Sequence, residues 1–325
     1  MAHAIRIHET GGPDVLRYEE IAAGEPGPGQ VLLRQTAVGI NFIDTYHRTG
    51  LYPLPSLPHG LGVEAAGVVE AVGPGVTEVT AGQRCAYASA TPGAYTDARL
   101  VSADRLVPLP DDIDEERAAA MLLAGMTVEY LIRRTFEVKP GMTVLLHAAA
   151  GGVGLIACQW LAHLGATVIG TVGSDEKAEL ARAHGCAHPI VYTREDFVAR
   201  VRKITEGRGV PVVYDSVGKT TMMGSLDCLS RRGLLVGFGN ASGAPGPFDP
   251  LVLARKGSLF LTRPVLFDYT ATRAELLASA TALFDVVRRG AVEVEVRQRW
   301  PLREAAEAHR ALEARRTTGS SILVP

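Results

Sequence analysis

Residues Val144 to Gly165 read VLLHAAAGGVGLIACQWLAHLG, an apolar run broken by alanines and glycines and resumed at once. A buried strand needs no such break, and several glycines would weaken a helix interior. The stretch predicts a strand, a tight turn and a helix in direct succession. Within it, Ala149-x-Gly151-x-x-Gly154 follows the dinucleotide-binding pattern with alanine in place of the first glycine. Gly151 would let the backbone approach a pyrophosphate, and Gly154 would let the helix pack closely on the strand. The helix N-terminus would turn its positive dipole end toward the phosphates.

What surrounds the turn supports that reading. From about Asp111 onward, strands and helices alternate. The strand candidates are Thr143–His147, Thr167–Val172, Pro189–Tyr192, Pro211–Ser216, Leu234–Gly237 and Ser258–Val265. Helical patterns begin near Gly152, Ser174, Arg194, Lys219 and Pro250, and DIDEERAAAMLLAGMTVEYLIRR precedes them as one longer helix. Gly165, Gly185, Gly207 and Gly233 each stand after a helical run, where a left-handed terminating residue is favoured. Six strands with intervening helices make an α/β fold, a doubly wound parallel sheet. Before Val107 the texture differs. Short apolar runs alternate with Gly and Pro turns, which predicts many short strands and few helices. The tail from Leu266 holds two helical stretches and a final apolar SSILVP, which is expected to return to the first domain.

Which dinucleotide binds depends on the end of the second strand, where NAD enzymes place an acid on the ribose. The sequence there is TVIGTVGSDEKAELARAHG. Ser174 reads as an N-cap, with Asp175 and Glu176 in the first helical turn and Lys177 at its third position. Gly173 and Ser174 then face the ribose, and Lys177 can reach a 2′-phosphate. Counting alone also allows Asp175 as a ribose acid.

Composition narrows the function classes. A formal net charge of −2 gives no electrostatic reason for nucleic acid or an anionic membrane. No apolar segment approaches the roughly 20 residues of a membrane span, and MAHAIRIHETGG lacks the layout of a signal peptide. The four cysteines (Cys85, Cys158, Cys186 and Cys228) form no C-x-x-C pair. Cys158 and Cys228 sit in apolar helical patterns and read as buried thiols. The expected location is cytoplasmic.

The stretches GINFIDTYHRTGLYP, GLGVEAAGVVEAVGPGV, HAAAGGVGLIACQWLAHLGA, VVYDSVG, RRGLLVGFGNASG, KGSLFLTRP and TTGSSILVP occur in family order along the whole chain. In them the chain resembles the zinc-independent, zeta-crystallin-like quinone oxidoreductases of the medium-chain dehydrogenase/reductase superfamily, the bacterial NADPH:quinone reductases above all. The resemblance implies a GroES-like β domain over residues 1–123, a Rossmann NADPH-binding domain over 124–265, and a segment, 266–325, that returns to the first domain. NADPH would lie in the cleft between the domains. Carried over by position, Asn41, Phe42, Ile43, Asp44, Thr45 and Tyr46 would border the nicotinamide, with Tyr130 also near the cofactor. Gly151, Gly152 and Val153 would face the pyrophosphate. Gly173, Ser174, Lys177, Tyr192 and Arg315 would surround the adenosine and its 2′-phosphate, Arg316 competing with Arg315. Ser216, Phe238, Gly239 and Asn240 would line the remaining wall.

The resemblance also excludes a metal. The zinc-dependent relatives carry a Cys where this chain reads GINFID and a His where it has Val63, just before Glu64. Neither replacement is a good zinc ligand, and the four-cysteine structural lobe is absent. His59, beside Pro58, reads as a loop histidine. Hydride transfer from NADPH to a quinone needs chiefly alignment of two rings and exclusion of water. Tyr46, Tyr52 and Asn41 are the candidate donors to the acceptor oxygen, and Tyr52, in GLYPLP, is the expected substrate contact. Two alternatives stand beside this reading: an enone or alkenal reductase, and an NADPH-binding protein without turnover, crystallin-like or RNA-binding. The apolar GSLFLTRPV (Gly257–Val265) reads as the last strand, whose bare edge predicts a homodimer.

Overall fold

The run from Gln30 to Ile40 alternates buried and solvent-facing residues as far as Thr36, and its last four residues are all buried. Period-two alternation is the mark of a strand with one wet face. Continuous burial begins where further strands cover it. In this computed structural model, which describes Met1 to Pro325, that run is the longest strand. In chain order the elements begin with β1 (Ala2–Ile7), β2 (Arg17–Ile21), β3 (Gln30–Ile40), α1 (Phe42–Thr49), β4 (His59–Gly60) and β5 (Glu64–Val72). Next come β6 (Arg84–Ala88), β7 (Ala98–Ser102), β8 (Val107–Pro108), α2 (Glu115–Tyr130), β9 (Thr143–Leu146), α3 (Gly152–His163), β10 (Thr167–Val172) and α4 (Asp175–Ala183). They continue with β11 (His188–Val191), α5 (Phe197–Ile204), β12 (Val210–Asp215), α6 (Met222–Cys228), β13 (Leu229–Gly237), α7 (Leu251–Arg255) and β14 (Phe260–Thr262). The chain ends with α8 (Leu266–Tyr269), α9 (Arg273–Arg288), β15 (Val296–Pro301), α10 (Ala305–Glu313) and β16 (Ser320–Val324).

Two units form. One comprises Met1–Ala124, Thr270–Leu283 and Val294–Pro325; the other comprises Gly125–Tyr269 and Phe284–Glu293. The first holds a three-stranded sheet, β2-β1-β4, and a seven-stranded sheet in the order β15-β16-β3-β5-β6-β8, with β7 also on β3. The closing strand β16 runs antiparallel to β3, Leu323 opposite Val38. The core of this unit includes Ile5, Leu33, Val69, Tyr87, Leu106 and Leu323.

The second unit holds one six-stranded sheet in the order β11-β10-β9-β12-β13-β14, every pair parallel. Its core runs through Leu145, Ile169, Val213, Leu226 and Leu235. This is the doubly wound α/β sheet that the alternating pattern predicts. Two local expectations need correction. Gly233 does not terminate a helix: α6 passes directly into β13, Gly233 lies within that strand, and the left-handed residue is Arg232 (φ 58°). The last strand is only Phe260–Thr262, because Ser258 is left-handed (φ 57°) and Pro264 has no N–H to donate. The helix read from DIDEERAAAMLLAGMTVEYLIRR extends past Tyr130 as expected, its last turn, Leu131–Thr135, being a π turn. Gly165, Gly185 and Gly207 are left-handed, as a helix end favours. All four cysteines are free and buried.

The first unit buries an acid that its strand pattern does not advertise. Glu64 opens β5 and is 2 % exposed. Its Oε1 accepts from the Leu123 N–H at 2.6 Å, and its Oε2 accepts from Asn41 Nδ2 at 2.8 Å. Gly39 makes the room: a Cβ there would lie 2.9 Å from the Glu64 carboxyl carbon. Burial raises the Glu64 pKa from 4.5 to about 8, although the Leu123 and Asn41 bonds pull it down. The unfolded chain releases this proton near 4.5 and the folded chain only near 8, so the contribution to stability falls as pH rises through that window. Glu64→Gln imitates the protonated form. Its stability relative to the parent should rise with pH, by up to about 1.4 kcal/mol per pH unit in that window, read by urea unfolding at successive pH values. A difference that does not vary with pH would contradict a raised Glu64 pKa.

Candidate functional site

β9 ends at Leu146, and the chain turns through left-handed Ala148 (φ 56°) into the N-cap Gly151. The Gly151 N–H donates to the Ala148 carbonyl at 3.0 Å, and Ala149 N–H to that of Thr171 at 3.0 Å. The first bond of α3 runs from Leu155 N–H to Gly151 C=O at 2.9 Å. The N–H groups of Gly152, Val153 and Gly154 therefore stand ahead of the helical ladder, as the first donors of any helix do. No acidic residue occupies that first turn. A Cβ on Gly154 would sit 2.6 Å from the Ala149 carbonyl carbon, whereas one on Gly151 would meet only the Ala148 oxygen, at 3.4 Å. Gly154 thus permits the close packing, and the space beside Gly151 stays open. Together they form a cradle suited to an anion.

A buried polar network fixes the base of this turn. Ser225 Oγ donates to Asp215 Oδ2 at 2.8 Å, so it must accept from His147 Nε2 at 3.0 Å. His147 Nδ1 then accepts from the Thr171 hydroxyl at 2.8 Å. Burial lowers the His147 pKa, against the pull of Asp215, and keeps the ring neutral. The other Asp215 oxygen accepts from the N–H groups of Val217 and Gly218 and from the Thr221 hydroxyl, at 2.8, 3.0 and 2.9 Å. The ends of β9, β10 and β12 are thereby tied to α6.

The second-strand turn gathers four of the residues read from the sequence. Ser174 caps α4, its Oγ accepting from Lys177 N–H at 3.3 Å. A Cβ on Gly173 would lie 3.2 Å from Tyr192 Oη. Asp175 carries a forked ion pair to Arg194, with Nη1 at 2.6 Å from Oδ2 and Nη2 on Oδ1. Beyond β12 and β13, Phe238 N–H donates to Asp215 C=O at 2.8 Å, and Ala241 N–H to Ser216 C=O at 3.1 Å. A Cβ on Gly239 would be 2.9 Å from the Ser216 Cα. So Ser216, Phe238, Gly239 and Asn240 share one loop cluster, at the same strand ends as the glycine turn. Those are the carboxyl ends of the parallel strands, where open α/β sheets hold their ligands. In the same unit Tyr130 is 2 % exposed and stacks on Tyr269 at 4.4 Å between ring centres.

In the first unit, Asn41 is the N-cap of α1, and its N–H donates to Asp44 Oδ2 at 2.8 Å. Asp44 is fully buried, and its Oδ2 also accepts from Tyr95 Oη at 2.9 Å. Burial raises its pKa to about 7. Within the segment 41–46, Asp44 therefore turns its side chain into the protein, and Thr45 spends its hydroxyl on the Phe42 carbonyl at 2.7 Å. Phe42 and Ile43, in the first turn of α1, are half-buried. Tyr46 packs edge-on to Tyr52 at 5.2 Å, Phe42 lies 6.4 Å from Tyr46, and His47 lies 5.9 Å from Tyr52. Arg315 is exposed just beyond α10, in the left-handed conformation (φ 57°). Sequence reading missed Glu64, the His147–Ser225–Asp215 network and Arg194. An acid at an inward position of GVEAAGVV is the one signal that was available for Glu64.

The residues at the position that holds zinc in the zinc-dependent relatives are already committed. Glu64 has both oxygens engaged by Leu123 and Asn41, and no three His, Cys, Asp or Glu side chains gather as a metal would require. The donor set does not fit zinc.

Comparison with known proteins matches residues 27–111 to the alcohol dehydrogenase GroES-like domain and residues 152–274 to the zinc-binding dehydrogenase family. The quinone oxidoreductase of Pseudomonas aeruginosa is 53 % identical over the full length of both chains. The 2-haloacrylate reductase of a Burkholderia species is 49 % identical over 100 % of this chain and 99 % of its own. Among solved structures, Escherichia coli quinone oxidoreductase complexed with NADPH superposes with a TM-score of 0.98 at 50 % identity, covering all of both chains. With half its residues identical over the full length of such relatives, the chain belongs to the quinone oxidoreductase family of the medium-chain dehydrogenase/reductase superfamily.

Proposed function

We propose that the protein is an NADPH-dependent quinone oxidoreductase that works without zinc. The observation that carries this is the pair of turns at the carboxyl ends of β9 and β10. One offers the anion cradle of Gly151, Gly152 and Val153. The other brings together Gly173, the helix cap Ser174, Lys177 and Tyr192, a set that suits an adenosine ribose, and its candidate ribose acid, Asp175, is engaged by Arg194. The quinone relatives and the NADPH-bound neighbour agree with it.

NADPH, when bound, supplies a hydride, and a quinone that takes up that hydride and a proton becomes a hydroquinone. The chain's own residues bind, orient and exclude water. In the sheet unit, the three amides at the start of α3 would hold the pyrophosphate, and Lys177 would meet the 2′-phosphate. Ser216, Phe238, Gly239 and Asn240 would wall the cofactor, with Tyr130 nearby. In the other unit, Asn41 to Tyr46 would border the nicotinamide, and Arg315 would offer a cation to the phosphate. The Tyr46 and Tyr52 hydroxyls and the Asn41 amide are the donors for the quinone oxygen as charge develops on it. Residues 1–123, 124–265 and 266–325 divide the work as acceptor domain, cofactor domain and returning segment. Four buried free thiols suit a reducing, cytoplasmic setting.

A second reading, reduction of an activated carbon–carbon double bond, has one observation in its favour: the 2-haloacrylate reductase relative. Steady-state NADPH oxidation with simple quinones, enones and 2-haloacrylates in parallel, in excess chelator, separates the two. Quinone turnover that exceeds the others and survives the chelator is expected; no turnover with any quinone would overturn the proposal.

The chain also forms a homodimer through β14. That strand ends the sheet with Phe260 60 % and Leu261 36 % exposed, and a bare apolar edge invites pairing. Pairing with its two-fold mate closes both edges at once. Sedimentation should show a dimer at micromolar concentration that Phe260→Lys weakens; a parent monomer there would contradict it.

A further inference from the structure

The turn after β10 is more acidic than a site for a phosphorylated ribose should tolerate. Asp175 and Glu176 open α4 between Ser174 and Lys177. A 2′-phosphate there would meet two carboxylates along with one lysine, and like charges a few ångströms apart repel. Both carboxylates are occupied. Glu176 hydrogen-bonds the Ser174 hydroxyl and its own backbone N–H, which together hold its pKa below the usual range. Asp175 is held at both oxygens by Arg194. Arg194 stands two residues beyond Tyr192, its backbone N–H anchored on the Val191 carbonyl at 3.1 Å. The guanidinium is thus presented from the end of β11 to the start of α4.

We propose that Arg194 is a specificity-determining positioning residue: by gripping Asp175 fork to fork, it withdraws one of the two acids that would repel a 2′-phosphate, and the one that would bond a bare ribose. The inference rests on reading the β10–α4 turn as the adenosine site. An acid near this position serves NAD by accepting from the ribose hydroxyls. With both oxygens turned to a planar guanidinium, Asp175 is not offered to a ribose. Only arginine supplies that forked geometry; a lysine would meet a single oxygen. The effect is modest, since the two side chains are 63 % and 59 % exposed and the pair is screened by water and salt.

Binding titrations of NADPH and NADH to the full-length protein test this, with Arg194→Ala, Asp175→Ala/Arg194→Ala and Lys177→Ala beside the parent. Arg194→Ala should weaken NADPH about threefold at low salt and leave NADH unchanged or tighter. The loss should shrink at high salt. Removing Asp175 as well should restore NADPH binding, because the liberated acid is gone. A double variant as weak as Arg194→Ala, or equal losses for both cofactors, would overturn the role of Arg194. Lys177→Ala should cost about tenfold for NADPH alone. Selective loss at Lys177 with none at Arg194 overturns only this inference. No selective loss at Lys177 overturns the adenosine assignment beneath it, and this inference with it.

Discussion

The absence of a side chain at Gly154 is the constraint on which the sheet unit turns. α3 starts so close to the end of β9 that a Cβ at residue 154 would occupy the space of the Ala149 carbonyl group. Because the helix can approach, its first N–H groups open at the carboxyl edge of the sheet, beside the loops that follow β10, β12 and β13. Any larger residue would push the helix away from the turn and turn those donors elsewhere. The open space beside Gly151 has value only because Gly154 fixes where the helix begins.

A turn this tight needs a stiff base. His147, Ser225 and Asp215 provide one in which each polar atom has a defined donor or acceptor, and the direction of every bond follows from the Ser225 hydroxyl. Asp215 also folds the chain back through Val217 and Gly218, which sets Ser216 against Gly239. Preorganised sites depend on such supporting contacts. The first unit uses the same device around α1. There Asn41 joins Glu64, and Asp44 joins Tyr95, whose hydroxyl lies 2.9 Å from His309 Nε2. Arg48, 1 % exposed, holds the far side of His309 at 2.8 Å and Glu313 at 2.6 Å. His309 must accept from this arginine at Nδ1, so its Nε2 carries the hydrogen toward Tyr95.

The order of strands and helices in the sheet unit was legible because each element is local. Apolar period, cap residues and terminating glycines lie within a few positions of what they shape, as Ser174 does above Lys177. Errors came where a neighbour in space decided the outcome. Gly233 reads as a helix stop, yet α6 enters β13 without a left-handed glycine. The pairs that organise the site were illegible for the same reason. Glu64 meets Leu123 across 59 positions and Arg194 meets Asp175 across 19. No period or motif links such residues, and only the folded chain brings them together. Family resemblance reached the glycine turn and the β10–α4 turn through their motifs, but it did not suggest the arginine that engages Asp175.

The central claim is that two adjacent turns, one at residues 151–154 and one at 173–177, receive the pyrophosphate and the 2′-phosphate of one NADPH. Amide hydrogen exchange with and without the cofactor tests it most directly, since it reads the backbone donors themselves. NADPH should slow exchange at Gly152, Val153 and Gly154 and in the 173–177 turn, and NADH should protect the first segment more than the second. Protection confined to other loops, or none at the start of α3, would contradict the account.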